Sequence, residues 1–106
     1  MARVLAISTD LLLGSKVEAM LKATGHEVTL APSLPEQLED VDLLVADLDA
    51  EDPTALANLS IPVLGYYSHV NVETREAAEA AGVDAVVPRS RMARELPELA
   101  AGLLDD

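Results

Sequence analysis

The sequence has no cysteine, no tryptophan and no phenylalanine, and its aromatics are the adjacent Tyr66 and Tyr67. Zero cysteines exclude disulfides, thiolate metal sites and a cysteine nucleophile, and they fit a reducing cytoplasm. With so few rings, a core must be built from Leu, Val, Ile and Ala. Hydrophobic residues make up 50% of the chain, enough to build one. Positive charge is scarce too: Lys and Arg number 7 against 19 Asp and Glu, for a formal net charge of −12. A nucleic-acid phosphate backbone repels such a chain, so DNA and RNA are not expected partners. No apolar run reaches the length of a membrane span. The N-terminus passes from Arg3 straight into a strand-like run, without a signal-peptide pattern. The expectation is a soluble, cytoplasmic protein with no membrane partner. Its 106 residues make one ordinary domain, read as a single stand-alone unit over 1–106.

What is present is a regular alternation. Residues 3–7 form a short, near-continuous apolar run, the pattern of a buried strand. Asp10 can cap a helix in which Leu13, Val17, Met20 and Leu21 recur at helical spacing until Gly25. Residues 26–31 alternate like a strand that His26 opens as a surface polar residue. Residues 33–39 read as a short helical piece with Pro35 in its first turn. Residues 42–47 are a second buried strand. Asp52 caps a short helix with Pro53 at its first position, running to about Leu59. A strand over 61–67 follows. Asn71 caps a helix to Ala81 that stops at Gly82, and 84–88 is the last strand. Residues 90–94 read as a turn, and a final helix carries Pro97 in its first turn and places Leu96, Leu99, Ala100, Leu103 and Leu104 on one face.

Strand and helix alternate about five times with short links, which predicts an α/β three-layer sandwich. The leading arrangement is a five-stranded parallel sheet in the flavodoxin-like order 2-1-3-4-5. In that order a crevice opens at the carboxyl ends of strands 1 and 3, where the winding reverses. The residues at those ends are Ser8, Thr9 and Asp10; Asp47; Tyr67, Ser68 and His69; and Arg89 and Ser90. Asp49, Glu51 and Asp52 follow Asp47 at once, with Asp52 read as the cap and Glu51 as solvated.

Several chemistries do not fit this crevice. A dinucleotide site needs a glycine-rich turn after strand 1, and that turn reads STDLLLG. Ser68 and His69 are sequence neighbours, so in extended chain their side chains point apart, and no nucleophile elbow is present.

The crevice residues resemble a known family. DLLVADLD is similar to the strand-3 motif of receiver domains in bacterial two-component response regulators, in which an Asp accepts a phosphoryl group. IPVLGYYSH resembles the strand-4 motif that ends in a Thr or Ser switch residue, and AAGVDAVVPRS resembles the end of strand 5 with its Lys. The likeness spans essentially the whole chain. It implies a receiver-like fold, a signalling role without enzymatic activity, and Asp47 in the phosphoacceptor position. The departures point to the atypical or pseudo-receiver type. Ser8 and Thr9 stand where the family places two acids for Mg²⁺, and neutral hydroxyls are poor ligands for that hard cation. Mg²⁺ binding is therefore not expected, and no other cofactor is. Tyr67 aligns with the switch residue and is bulky enough to fill the phosphoryl space. Arg89 aligns with the Lys, and the expectation is an Arg89–Asp47 ion pair.

Three readings follow. The first is a phosphorylation-independent signalling module acting by contact with another protein. It includes a homodimer through the last helices and last strand, where the acids Glu73, Glu76 and Glu79 face the bases Arg91 and Arg94. The second is a phosphoacceptor with a weakened metal site that uses Asp47. The third is a pocket for a small polar or anionic ligand, in which the hydroxyls of Ser8, Thr9, Ser68 and Ser90 stand beside the cation Arg89. No DNA-binding helix-turn-helix follows the last helix, so output is expected through protein contact.

Overall fold

The computed structural model describes residues 2–36, 38–68 and 72–104. Among them the elements run β1 (Arg3–Ile7), α1 (Leu11–Ala23), β2 (Glu27–Ala31), β3 (Leu43–Asp47), α2 (Pro53–Ala57), β4 (Val63–Tyr67), α3 (Val72–Ala81), β5 (Ala85–Pro88) and α4 (Arg89–Leu104). The strands form one parallel sheet in the order β2-β1-β3-β4-β5. This is the three-layer, flavodoxin-like arrangement that the alternation predicts. No helix of the described residues is long and apolar enough to cross a membrane.

Strand alternation divides the core. On one face Val4, Ala6, Leu43, Val45, Leu64, Tyr66 and Val87 pack with Leu13, Val17 and Leu21 of α1 and with Met92, Leu96 and Ala100 of α4. On the other, Leu5, Ile7, Leu44, Ala46, Val63 and Tyr67 pack with Leu48, with Leu56 of α2 and with Ala78 of α3. The three central strands are buried on both faces, which is why they read as continuous apolar runs. At the amino ends, Arg3 N–H donates to Asp42 Oδ2 (2.9 Å) and Val63 N–H donates to Asp84 Oδ2 (2.8 Å), which pins the strand starts.

Helix ends follow local chemistry. Asp10 caps α1 by accepting from Leu12 and Leu13 N–H, and Asp52 caps α2 by accepting from Thr54 N–H. Gly25 (φ 92°) and Gly82 (φ 99°) follow α1 and α3 in the left-handed conformation that ends helices. Asn71, the expected cap of α3, lies outside the described residues.

Expectations fail in two places. Residues 33–39 form no helix among those described. The segment is too short to sustain a helix alone, and Leu34, Leu38 and Val41 instead pack singly against the second core cluster. Leu34 N–H donates to Glu51 Oε1 (2.8 Å), so a side chain replaces the helical partner, and Asp40 sits at φ 58°. Glu51 therefore holds this segment rather than standing in solvent. The second failure is at the C-terminus. Residues 90–94 are not a turn: α4 begins at Arg89, directly after β5, and Pro97 lies inside it. The buried line Met92, Leu96, Ala100 starts one turn earlier than the sequence suggests, and that packing outweighs the cost of an interior proline.

Candidate functional site

The carboxyl ends of β1, β3, β4 and β5 meet where the winding reverses. Asp47 pairs in register with Tyr66, and its alternation with Leu43 and Val45 puts it on the α1–α4 face. Ser8, following Val4 and Ala6, shares that face. The structure brings together Ser8, Asp10, Asp47, Tyr66 and Arg89.

Arg89 does not pair with Asp47 as expected. Its Nη2 donates to Asp10 Oδ2 at 3.0 Å. Asp10 comes close because it caps α1, and Arg89 reaches it because α4 starts without a turn. Asp10 is fully engaged: Oδ1 accepts from Leu12 N–H (3.0 Å) and Leu13 N–H (3.2 Å), and Oδ2 holds Arg89. The Leu13 N–H foremost, against some burial and with help from Arg89, holds the Asp10 carboxyl below the ordinary value of 3.8.

Asp47 is half-buried, and its Oδ1 accepts from Asp49 N–H at 2.9 Å. Burial raises its carboxyl above 3.8. The Asp49 N–H pulls it back, the Asp49 and Glu51 charges add to the rise, and Arg89 opposes it from a distance. Asp49 in turn accepts from Ser68 N–H at 2.8 Å through Oδ2, so Asp49 ties the end of β3 to the end of β4. The sequence reading did not single out Asp49.

Tyr67 does not reach this side. It is buried in the α2–α3 cluster on the opposite face, and Tyr66 takes the place beside Asp47. Tyr66 is 1% exposed, and its hydroxyl is buried without a hydrogen-bond partner among the described residues. Burial raises the phenol above 10.0, and Ser8 lies close enough to lower it slightly. Ser8 is nevertheless committed to Asp10, donating to its carbonyl (3.2 Å) and accepting from its N–H (3.0 Å). Thr9, Ser68 and Ser90 are exposed around the rim, and His69 lies outside the described residues.

The residues present do not suit a hard divalent cation. Among the described residues no group of three or more His, Cys, Asp or Glu side chains converges for a metal. The carboxylate at the end of β1 that could approach Asp47 is occupied by two backbone donors and a guanidinium.

Three of the bases on α3 and α4 find partners on their own helices. Arg75 pairs with Glu79 (3.3 Å), Arg91 with Glu95 (3.3 Å), and Arg94 Nε donates to the Ser90 carbonyl (3.3 Å). Glu73, Glu76, Glu79, Arg91 and Arg94 are all exposed.

No protein-family model matches the sequence, and no curated protein does. Solved structures do match. A response regulator from Thermotoga maritima superposes with a TM-score of 0.85 at 14% identity, over 100% of this chain and 99% of that one. An orphan response regulator of H. pylori gives 0.83 at 22% identity, covering 97% and 96%. An atypical orphan response regulator, described as revealing a phosphorylation-independent regulatory mechanism, gives 0.84 at 22% identity, covering 97% and 95%. On this likeness in strand order, length and superposition, the chain has the flavodoxin-like fold of response regulator receiver domains.

Proposed function

We propose that this chain is an atypical, non-enzymatic receiver-like signalling module of the bacterial cytoplasm. It acts by protein–protein contact without Mg²⁺-dependent phosphorylation of Asp47. The observation that carries the reading is the state of Asp10, whose two oxygens are taken by the α1 cap and by Arg89. Phosphoryl transfer to a carboxylate relies on a metal to offset charge on the moving group. Here the guanidinium of Arg89 is held by Asp10, at the place where an exchangeable cation would need a carboxylate, and the pair links the start of α1 to the start of α4. That supports one resident conformation rather than two that a phosphoryl group would switch between. The surface offered to a partner is the one made by α3, β5 and α4, where Glu73, Glu76, Glu79, Arg91 and Arg94 project from adjacent elements.

Incubation with acetyl phosphate and Mg²⁺, followed by intact-mass measurement, tests this against the phosphoacceptor alternative. The expected result is no phosphoryl increment. An increment that disappears in Asp47→Asn overturns the reading.

A further inference from the structure

The two edges of the sheet are unequal. β5 has four residues and ends in Pro88. β2 has five, EVTLA, with neither proline nor lysine to discourage pairing. Its one charge, Glu27, is held by Arg3 Nε at 3.3 Å. Leu30 is 39% exposed, and among the described residues no helix follows β2 before β3.

The ladder fixes which backbone groups of β2 are used. Glu27 N–H donates to the Ala2 carbonyl (2.9 Å), and the Ala31 carbonyl accepts from Ser8 N–H (3.1 Å). Glu27, Thr29 and Ala31 therefore turn their polar groups toward β1, and Val28 and Leu30 turn theirs outward. His26 N–H is taken by the Leu21 carbonyl, and Pro32, the next outward position, has no N–H. The outward donors of the edge are thus Val28 and Leu30.

We propose that a second copy of this chain adds antiparallel to β2 about a two-fold axis through Thr29. Val28 then lies opposite the second copy's Leu30, and Leu30 opposite its Val28. Each pair exchanges both N–H···O bonds, so every outward donor of the strand is satisfied. The pattern is its own complement, and this is the argument for self-pairing over an unrelated strand. Charge agrees. Glu27 lies opposite the second copy's Ala31, which separates the two Glu27 residues by roughly 14 Å along the strand. That exceeds a screening length of about 8 Å. In a chain of net charge −12, the uncharged stretch 28–35 is where two copies can meet with the least repulsion. Leu30 and Pro32 also line a groove of about 270 Å³ with Ala6, Ser8, Asp10 and Gly14, and an added strand covers that outer edge.

The chain has no cysteine, so introduced ones report cleanly. Thr29 is exposed, and in the proposed pairing it forms a non-hydrogen-bonded pair with its counterpart, with Cα atoms about 4.5 Å apart. That is within the disulfide range of about 4.4–6.8 Å. The expected results are a wild-type dimer by light scattering, a covalent dimer from oxidised Thr29→Cys, and none above background from Glu27→Cys. Leu30→Pro, which removes one outward donor, should be a folded monomer by circular dichroism. A monomeric wild type, equal cross-linking of both cysteine variants, or a dimer that survives Leu30→Pro overturns the proposal. A dimer abolished by Arg91→Glu together with Arg94→Glu, without a Thr29→Cys cross-link, overturns it in favour of the α3–β5–α4 face.

Discussion

Asp47 is a carboxylate that the fold tolerates at a cost. In the unfolded chain it titrates near 3.8, and burial raises it in the native state. Below about 3.8 both states hold the proton and the residue is neutral toward stability. As pH rises through the interval above 3.8, the unfolded chain gives up its proton first, and stability falls until the native carboxyl has ionised too. Asp10 has the opposite sign: its depressed carboxyl contributes stability above 3.8 that is lost as pH falls through the native value. Asp47→Asn keeps an oxygen for the Asp49 N–H and removes the buried charge. The variant should be more stable than the wild type at pH 7, by roughly a few tenths of a kcal/mol because the group is partly exposed and screened. The gap should close as pH is lowered past 3.8. A variant less stable than wild type at neutral pH would show that Arg89 outweighs burial. Asp47 was legible in the sequence because a buried run ends on it. Its partners were not. In a strand buried on both faces, hydrophobicity does not reveal parity, so Tyr66 and Tyr67 could not be told apart.

At the scale of elements, the loop after β3 is held by an absent side chain. Leu48 is buried over Gly65 of β4, and a Cβ at Gly65 would lie 2.7 Å from Leu48 Cδ2 and 2.9 Å from its Cγ. This contact seats the loop that carries Asp49 across to Ser68. Gly65→Ala should destabilise by about 1–3 kcal/mol through overpacking. Leu48→Ala should cost about 2–5 kcal/mol through the cavity it leaves. Because the two substitutions relieve each other, the double variant should fall short of the sum by more than about 0.5 kcal/mol in denaturant titration. Additive costs would place the strain elsewhere. Elements with their own punctuation were readable: Asp10 and Gly25 bracket α1, and Asp52 and Pro53 open α2. Residues 33–39 and the start of α4 were not, because tertiary packing sets both. Leu34 and Leu38 serve the core without helical geometry, and Met92 draws Arg89 and Ser90 into the helix.

At the scale of the molecule, charge is the dominant unbalanced term. Among the described residues the ion pairs are largely exposed: Arg89–Asp10 has both side chains 41% accessible, and α1, α3 and α4 each carry one pair between residues four apart. Such pairs add little, because solvent screens them and holding two long side chains in place costs entropy. They leave a formal net charge of −12, from 19 acids against 7 bases, and this self-repulsion opposes both compaction and self-association. Salt weakens the few short attractions and the many long repulsions together, but it removes the long ones first, since the screening length shrinks from about 30 Å at 0.01 M to about 3 Å at 1 M. The melting temperature should therefore rise as sodium chloride is increased across that range, and a dimer formed at the uncharged β2 edge should tighten with it. A dimer held by cross-subunit pairs between Glu73, Glu76 or Glu79 and Arg91 or Arg94 would loosen over the same titration. Sedimentation at two salt concentrations separates the two surfaces by the sign of the effect.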